Sequence, residues 1–272
     1  MMNLENVNTI VLSGGSILGL SYLGLFHKLL QTYPDLLTHT TEYYGTSVGA
    51  VVAVFLAAGY NPKELFDVLE DISVEPQFDL LNFTSNLGLD SGETLVEFLV
   101  QFLEKKIKLA KEITLVDFFN LTKKTIHITT CCVETGEVLF ISHKNYPTLK
   151  LIHALRMTTS IPFYFTPVVW KNKHYIDAGI TLNFPFKPEF NSNENVLGVN
   201  FSKQLSSCSD LNMISFISNI ISIVSIAKNK TENTGNVITI DIPVELNKDI
   251  YNFNVSQTLK NSLFEIGFKA IP

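Results

Sequence analysis

Cysteine is scarce in this 272-residue chain: there are three, with Cys131 and Cys132 adjacent and Cys208 distant. That pattern offers neither a disulfide framework nor metal-ligand spacing, so the thiols read as reduced and partly buried. Positive charge is short as well, with a net charge of −6 and Arg156 as the single arginine. A nucleic-acid-binding surface is excluded on that ground. Cationic attraction to anionic membranes would be weak, so any lipid contact should rest on apolar surface. No Pro/Gly/Ser-rich linker, internal repeat or low-complexity block divides the chain, and 46% hydrophobic residues suffice for one large core. Residues 1–272 therefore read as one domain. Residues 1–6 lack the charged and apolar regions of a signal peptide, which predicts a cytoplasmic protein. The uncharged apolar run at residues 211–227 is a little short for a membrane span of about 20 residues. Its serines and Asn219 recur at helical spacing, which predicts a packed core helix in preference to a lipid-contacting one.

What the chain does have is Gly45-Thr46-Ser47-Val48-Gly49, between a strand-like segment at residues 42–44 and a buried, small-residue helix over 48–59. A strand that turns sharply into a helix crowds the backbone around the turn residue, so the positions two before and two after it need glycine. A serine there is a candidate nucleophile, although the same pattern also serves as a plain packing turn. Earlier, a short apolar strand at residues 9–13 runs into Gly14-Gly15-Ser16 and then a helical run over 20–30. A glycine-rich turn feeding a helix aims unpaired backbone amides into one small volume, which suits a developing oxyanion. Nucleotide-loop patterns fit poorly, because position 16 is not glycine and no Gly-Lys-Ser/Thr ending follows.

A hairpin around residues 171–173 ends in Asp177-Ala178-Gly179, where a carboxylate at a strand end could take a serine proton as general base. All six histidines (His27, His39, His127, His143, His153, His174) precede Asp177. A triad in the order serine, Asp177, histidine is therefore impossible. Asp117 with His143, His153 or His174 stays formally open, but His127, His143 and His153 carry no motif, and lone histidines are usually surface or satisfied core groups.

At this point the residues resemble the patatin-like phospholipases, serine acyl hydrolases with a Ser/Asp dyad. Residues 12–19 look like that family's oxyanion loop and residues 45–49 match its elbow. Residues 159–167 resemble the segment before its aspartate, and residues 175–185 resemble the aspartate segment itself. Together these blocks place the motif-bearing part at about residues 9–185. Three positions depart from the family pattern: Ser16 replaces a third glycine, Leu18 a basic residue, and Ala178 a glycine.

The resemblance implies a three-layer α/β/α fold with a mixed, mainly parallel central sheet. It further implies catalytic Ser47 and Asp177, an oxyanion hole from the amides of Gly14, Gly15 and Ser16, and an elbow formed by Gly45 and Gly49. No metal or cofactor is implied. The substrate would be a phospholipid or glycerolipid, met transiently at a membrane surface by a peripheral protein. The competing expectations are a lipid-binding protein that has lost rate and a soluble esterase or thioesterase. The aromatic-rich residues 76–83 read as an acyl-binding lid or an ordinary buried loop.

The remaining pattern alternates strands and helices, as a layered sheet requires. Helices are expected at 61–71, 91–107, 114–120, 148–159, 210–228 and 256–269. A hairpin is expected at 125–133 and 137–142, with further strands at 195–201 and 236–242.

Overall fold

A computed structural model describes residues 4–70, 78–202, 213–228, 235–243, 245–246 and 255–271. The first half runs β1 (Thr9–Leu12), α1 (Gly19–Thr32), α2 (Leu36–His39), β2 (Glu42–Thr46), α3 (Val48–Ala57), α4 (Pro62–Glu70), α5 (Leu80–Asn86), β3 (Gly88–Asp90), α6 (Glu93–Glu104) and α7 (Leu115–Thr122). The second runs β4 (Thr125–Cys132), β5 (Val138–Ile141), α8 (Leu151–Thr158), β6 (Phe163–Phe165), β7 (Val168–Trp170), β8 (Lys173–Asp177), β9 (Val196–Phe201), α9 (Met213–Lys228), β10 (Val237–Ile240) and α10 (Gln257–Phe268). The expected ends at Asp71 and at residues 210–212 lie outside the described residues, as does Cys208.

The main sheet has the order β10-β9-β1-β2-β4-β8-β7, with β5 also on β4. Its first five strands pair in parallel, while β5, β7 and β8 add antiparallel pairs. This is the mixed, mainly parallel sheet flanked by helices that was expected. Period-two alternation divides β1 between two faces. Ile10 and Leu12 enter the main core with α1, α3 and α10, whereas Val11 joins Tyr44, Phe186 and Phe190 on the opposite face.

The helix starts follow local chemistry. Thr114 and Asp117 form a reciprocal capping box at α7, and the Asn61 side chain accepts the Lys63 amide at 2.9 Å before Pro62 opens α4. α1 and α10 cross so closely that a Cβ on Gly24 would lie 1.9 Å from the Phe264 carbonyl oxygen.

Residues 80–86 form a helix in which no residue is buried, so the reading of residues 76–83 as an ordinary buried loop fails; Pro76 and Gln77 lie outside the described residues. α9 is not a core helix of the expected kind either. Ile221 and Ser225 face inward, while Phe216, Ile220, Ile223 and Val224 are exposed. Among the described residues, no helix is long and apolar enough to cross a membrane.

Candidate active site

The site is built around β4. Its residues 128–131 pair with β5 on one edge. The other edge is shared: β2 pairs with it as far as Thr46 opposite Thr129, and β8 takes over with Asp177 opposite Thr130. β2 and β8 run toward each other along that edge. Both chains leave it at consecutive β4 positions, which brings Ser47 and Asp177 out of the same gap. A serine and an aspartate 130 residues apart in sequence thus become neighbours through strand register alone.

Ser47 caps α3 with φ 54° and ψ −128°. A non-glycine residue in that region carries about 1–3 kcal/mol of backbone strain, and such strain gathers at functional turns. The flanking glycines are required by contact. A Cβ on Gly45 would stand 2.4 Å from the Ala50 amide nitrogen, and one on Gly49 would stand 2.5 Å from the Leu12 carbonyl oxygen. The Ser47 amide donates to Thr158 Oγ1 at 2.8 Å, tying the turn to α8. Both Ser47 and Asp177 are buried, and the Asp177 carboxylate accepts the Gly179 amide at 2.7 Å.

The glycine-rich loop lies directly against this turn, since a Cβ on Gly14 would be 3.2 Å from Ser47 Cβ. One of its expected roles needs correction. The Gly14 amide donates to the Asn183 carbonyl at 2.9 Å, so it is already committed and is removed from the oxyanion set. Asn183 returns a second bond from Nδ2 to the Gly14 carbonyl at 3.0 Å, locking the loop to the segment after Asp177. The amides of Gly15 and Ser16 make no hydrogen bond among the described residues. Ser16 has φ 51°, and its buried hydroxyl has no partner.

The other two departures are accommodated. Leu18 is a core residue. Ala178 is fully buried at the start of a 3-10 turn and needs no positive φ.

Asn183, Thr158 and Arg156 were not identified as site residues from sequence. Arg156 is buried and donates to Ser160 Oγ at 2.6 Å and to the carbonyls of Ser91 and Thr166 at 2.8 Å each. The Ser160 carbonyl in turn accepts the Asp177 amide at 2.9 Å. Burial pulls the guanidinium down to about 10, opposed by the charge of Asp90. The sequence signal was its solitude as the only arginine, which pattern alone could not interpret.

From Ser47 and Ser16 a cavity of about 190 Å³ runs along Val48, Val51 and Phe55 of α3 toward Leu69 and Lys260. Its walls are mostly aliphatic and aromatic, which suits a hydrocarbon chain. The buried Lys260 ammonium at that end donates to the Leu69 carbonyl at 3.1 Å.

A model of the family described as patatin-like phospholipase matches residues 10–189. R571, an uncharacterized protein of Acanthamoeba polyphaga mimivirus, is 24% identical over 98% of this chain and 93% of its own length. The probable lipid hydrolase 463L of Invertebrate iridescent virus 6 is 27% identical, over 65% of this chain and 61% of its own length. Among solved structures, VipD from Legionella pneumophila superimposes with a TM-score of 0.52 at 16% identity, covering 96% of this chain and 67% of VipD. That likeness concerns the fold.

Proposed function

The chain belongs to the patatin-like phospholipase family, and from that premise we propose that it hydrolyses carboxylic esters of phospholipids or related glycerolipids through Ser47 and Asp177. The family and its lipid-hydrolase relative support lipid ester hydrolysis. The finer reading is supported above all by the meeting of β2 and β8 on β4, which sets a strained serine beside a buried aspartate at an apolar cavity.

Ser47 Oγ attacks the ester carbonyl carbon and its proton passes to the Asp177 carboxylate. The carbonyl oxygen becomes an oxyanion, held by the amides of Gly15 and Ser16 and favoured by the N-terminal dipole of α3. Collapse breaks the bond to the alcohol, which leaves with the proton from Asp177. Water then attacks the acyl-enzyme, gives a proton to Asp177 and releases the fatty acid, and that proton returns to Ser47. The acyl chain occupies the cavity along α3, where apolar burial holds it at about 0.8 kcal/mol per methylene.

Fatty-acid release from mixed phospholipid vesicles, with chelator present, tests this. Ser47→Ala and Asp177→Asn should each lower release by at least about a thousandfold. A folded wild type that releases no more than the two variants would remove the catalytic assignment.

A further inference from the structure

Helix α9 is inverted relative to a soluble amphipathic helix. Its exposed residues Phe216, Ile220, Ile223 and Val224 follow i, i+4, i+7, i+8 spacing and form one apolar stripe turned outward. Ile221, on the inner side, packs with Ile161, Tyr164 and Phe165. That same cluster anchors a second exposed apolar surface. Phe78 meets the Tyr164 ring edge-on at 5.3 Å, and Leu80, Leu81, Leu87 and Phe163 are exposed around it, Leu81 at 76%. Phe163 and Leu87 also hold positive φ, at 66° and 63°. Gly88, the residue after Leu87, pairs with Phe163 across β3 and β6. Exposed apolar side chains on strained backbone cost stability and return none within the fold.

We propose that α5, β6 and the outer face of α9 form one docking surface for an uncharged lipid layer, the surface of a zwitterionic or neutral bilayer. The proposal rests on the hydrolase reading for its biological sense. Charge selects the occupant: α5, β6 and residues 213–227 of α9 contain no Asp, Glu, Lys or Arg, and Asp79 at the start of α5 is a flanking charge. An anionic membrane or a charged protein partner finds no complement on such a face. Asn82, Thr84 and Ser85 supply the weak polarity suited to the headgroup boundary. Position selects it too. Ile161 and Phe165, at the base of the patch, also line the cavity that starts at Ser47. α9 packs on the 3-10 turn immediately after Asp177. A lipid acyl chain could pass from the bilayer to the serine along apolar contacts.

Flotation on pure phosphatidylcholine vesicles tests the surface, comparing wild type with Leu81→Asn, Ile223→Asn and Ser47→Ala, each checked by a thermal melt. The wild type should float equally at low and high salt, and added phosphatidylserine should not improve it. Each surface variant should bind about tenfold more weakly, while Ser47→Ala floats like the wild type. Surface variants that float normally would overturn the proposal. So would binding that needs anionic lipid and disappears in high salt. A wild type that self-associates through these residues and does not float would assign the face to a second copy of the chain instead. A wild type that floats as described yet releases no fatty acid would remove the hydrolase reading and leave the docking surface standing.

Discussion

Replacing Thr158 by valine removes one oxygen and almost no volume, and the structure gives that oxygen a specific task. Thr158 is fully buried, and its Oγ1 accepts the amide of buried Ser47 at 2.8 Å. In the valine variant that amide is left without an acceptor, at a cost of about 1–3 kcal/mol. The turn it restrains already stores strain at φ 54°, so part of the loss should appear as relaxation of Ser47 away from its native dihedrals. Stability should fall by about 1–3 kcal/mol, with Tm dropping by about 2–4 °C for each kcal/mol in a domain of this size. Because a displacement near 1 Å at a reacting atom can cost about a hundredfold in rate, kcat should fall well beyond the stability effect while KM changes little. Thr158→Ser restores the oxygen and should recover most of kcat. Thermal melts and steady-state hydrolysis of a soluble short-chain ester on the three proteins measure both quantities. A valine variant that melts and turns over like the wild type would refute the assignment of Thr158 as a positioning residue.

Ser16→Gly removes a side chain from a left-handed position together with a buried hydroxyl that has no partner. It should raise stability by about 1 kcal/mol, and a lowered Tm would contradict that account. Glu42 sets a pH dependence: His127 and Lys144, at 3.9 and 2.7 Å, hold its carboxyl at about 2, below the ordinary 4.5. A depressed carboxyl stabilises the fold above its unfolded value and loses that contribution as pH falls from 4.5 through 2. With its side chain 31% exposed, the contribution should be about 1–2 kcal/mol. Denaturant melts across that range should show the loss in the wild type and a flatter profile in Glu42→Gln. Equal slopes in both would show that Glu42 is not the group responsible.

Elements whose signal is local were legible. β1 to α1 and β2 to α3 are each announced by a short apolar strand, a small-residue turn and a helical run, and the β4–β5 hairpin by two apolar strands around Thr135-Gly136. β3 and β6 were not, because each is three residues long and, among the described residues, its partner strand lies about 75 positions away. Segments of that length have too few alternations to show a period. α9 was legible as a helix, yet the polar stripe that marked it for the core does not predict its burial: the fold turns Ile221 and Ser225 inward and leaves Phe216, Ile220, Ile223 and Val224 exposed. A rule about average burial fails where the outward face has a surface of its own to meet.

The same division runs through the site. Ser47 could be found because the turn it occupies is written into neighbours that must be small: Gly45 and Gly49 are fixed by contacts within the turn and with the end of β1. Asp177 carried a weaker signal, a carboxylate at a strand end, and gained meaning only with the family pattern around it. Thr158 and Asn183 carried none, since their bonds close separations of 111 and 169 residues and a threonine or asparagine in isolation predicts no partner. The Gly14 amide was misassigned for the same reason. Its glycine is a local signal that an amide lies near Ser47, but its acceptor, the Asn183 carbonyl, is visible only once β8 has brought residues 178–183 back to the loop. Sequence therefore locates a strained strand-to-helix turn through the steric demands it makes on adjacent residues. The donors that remain available to an oxyanion depend on which backbone groups the tertiary fold has already paired, and only the folded chain settles that.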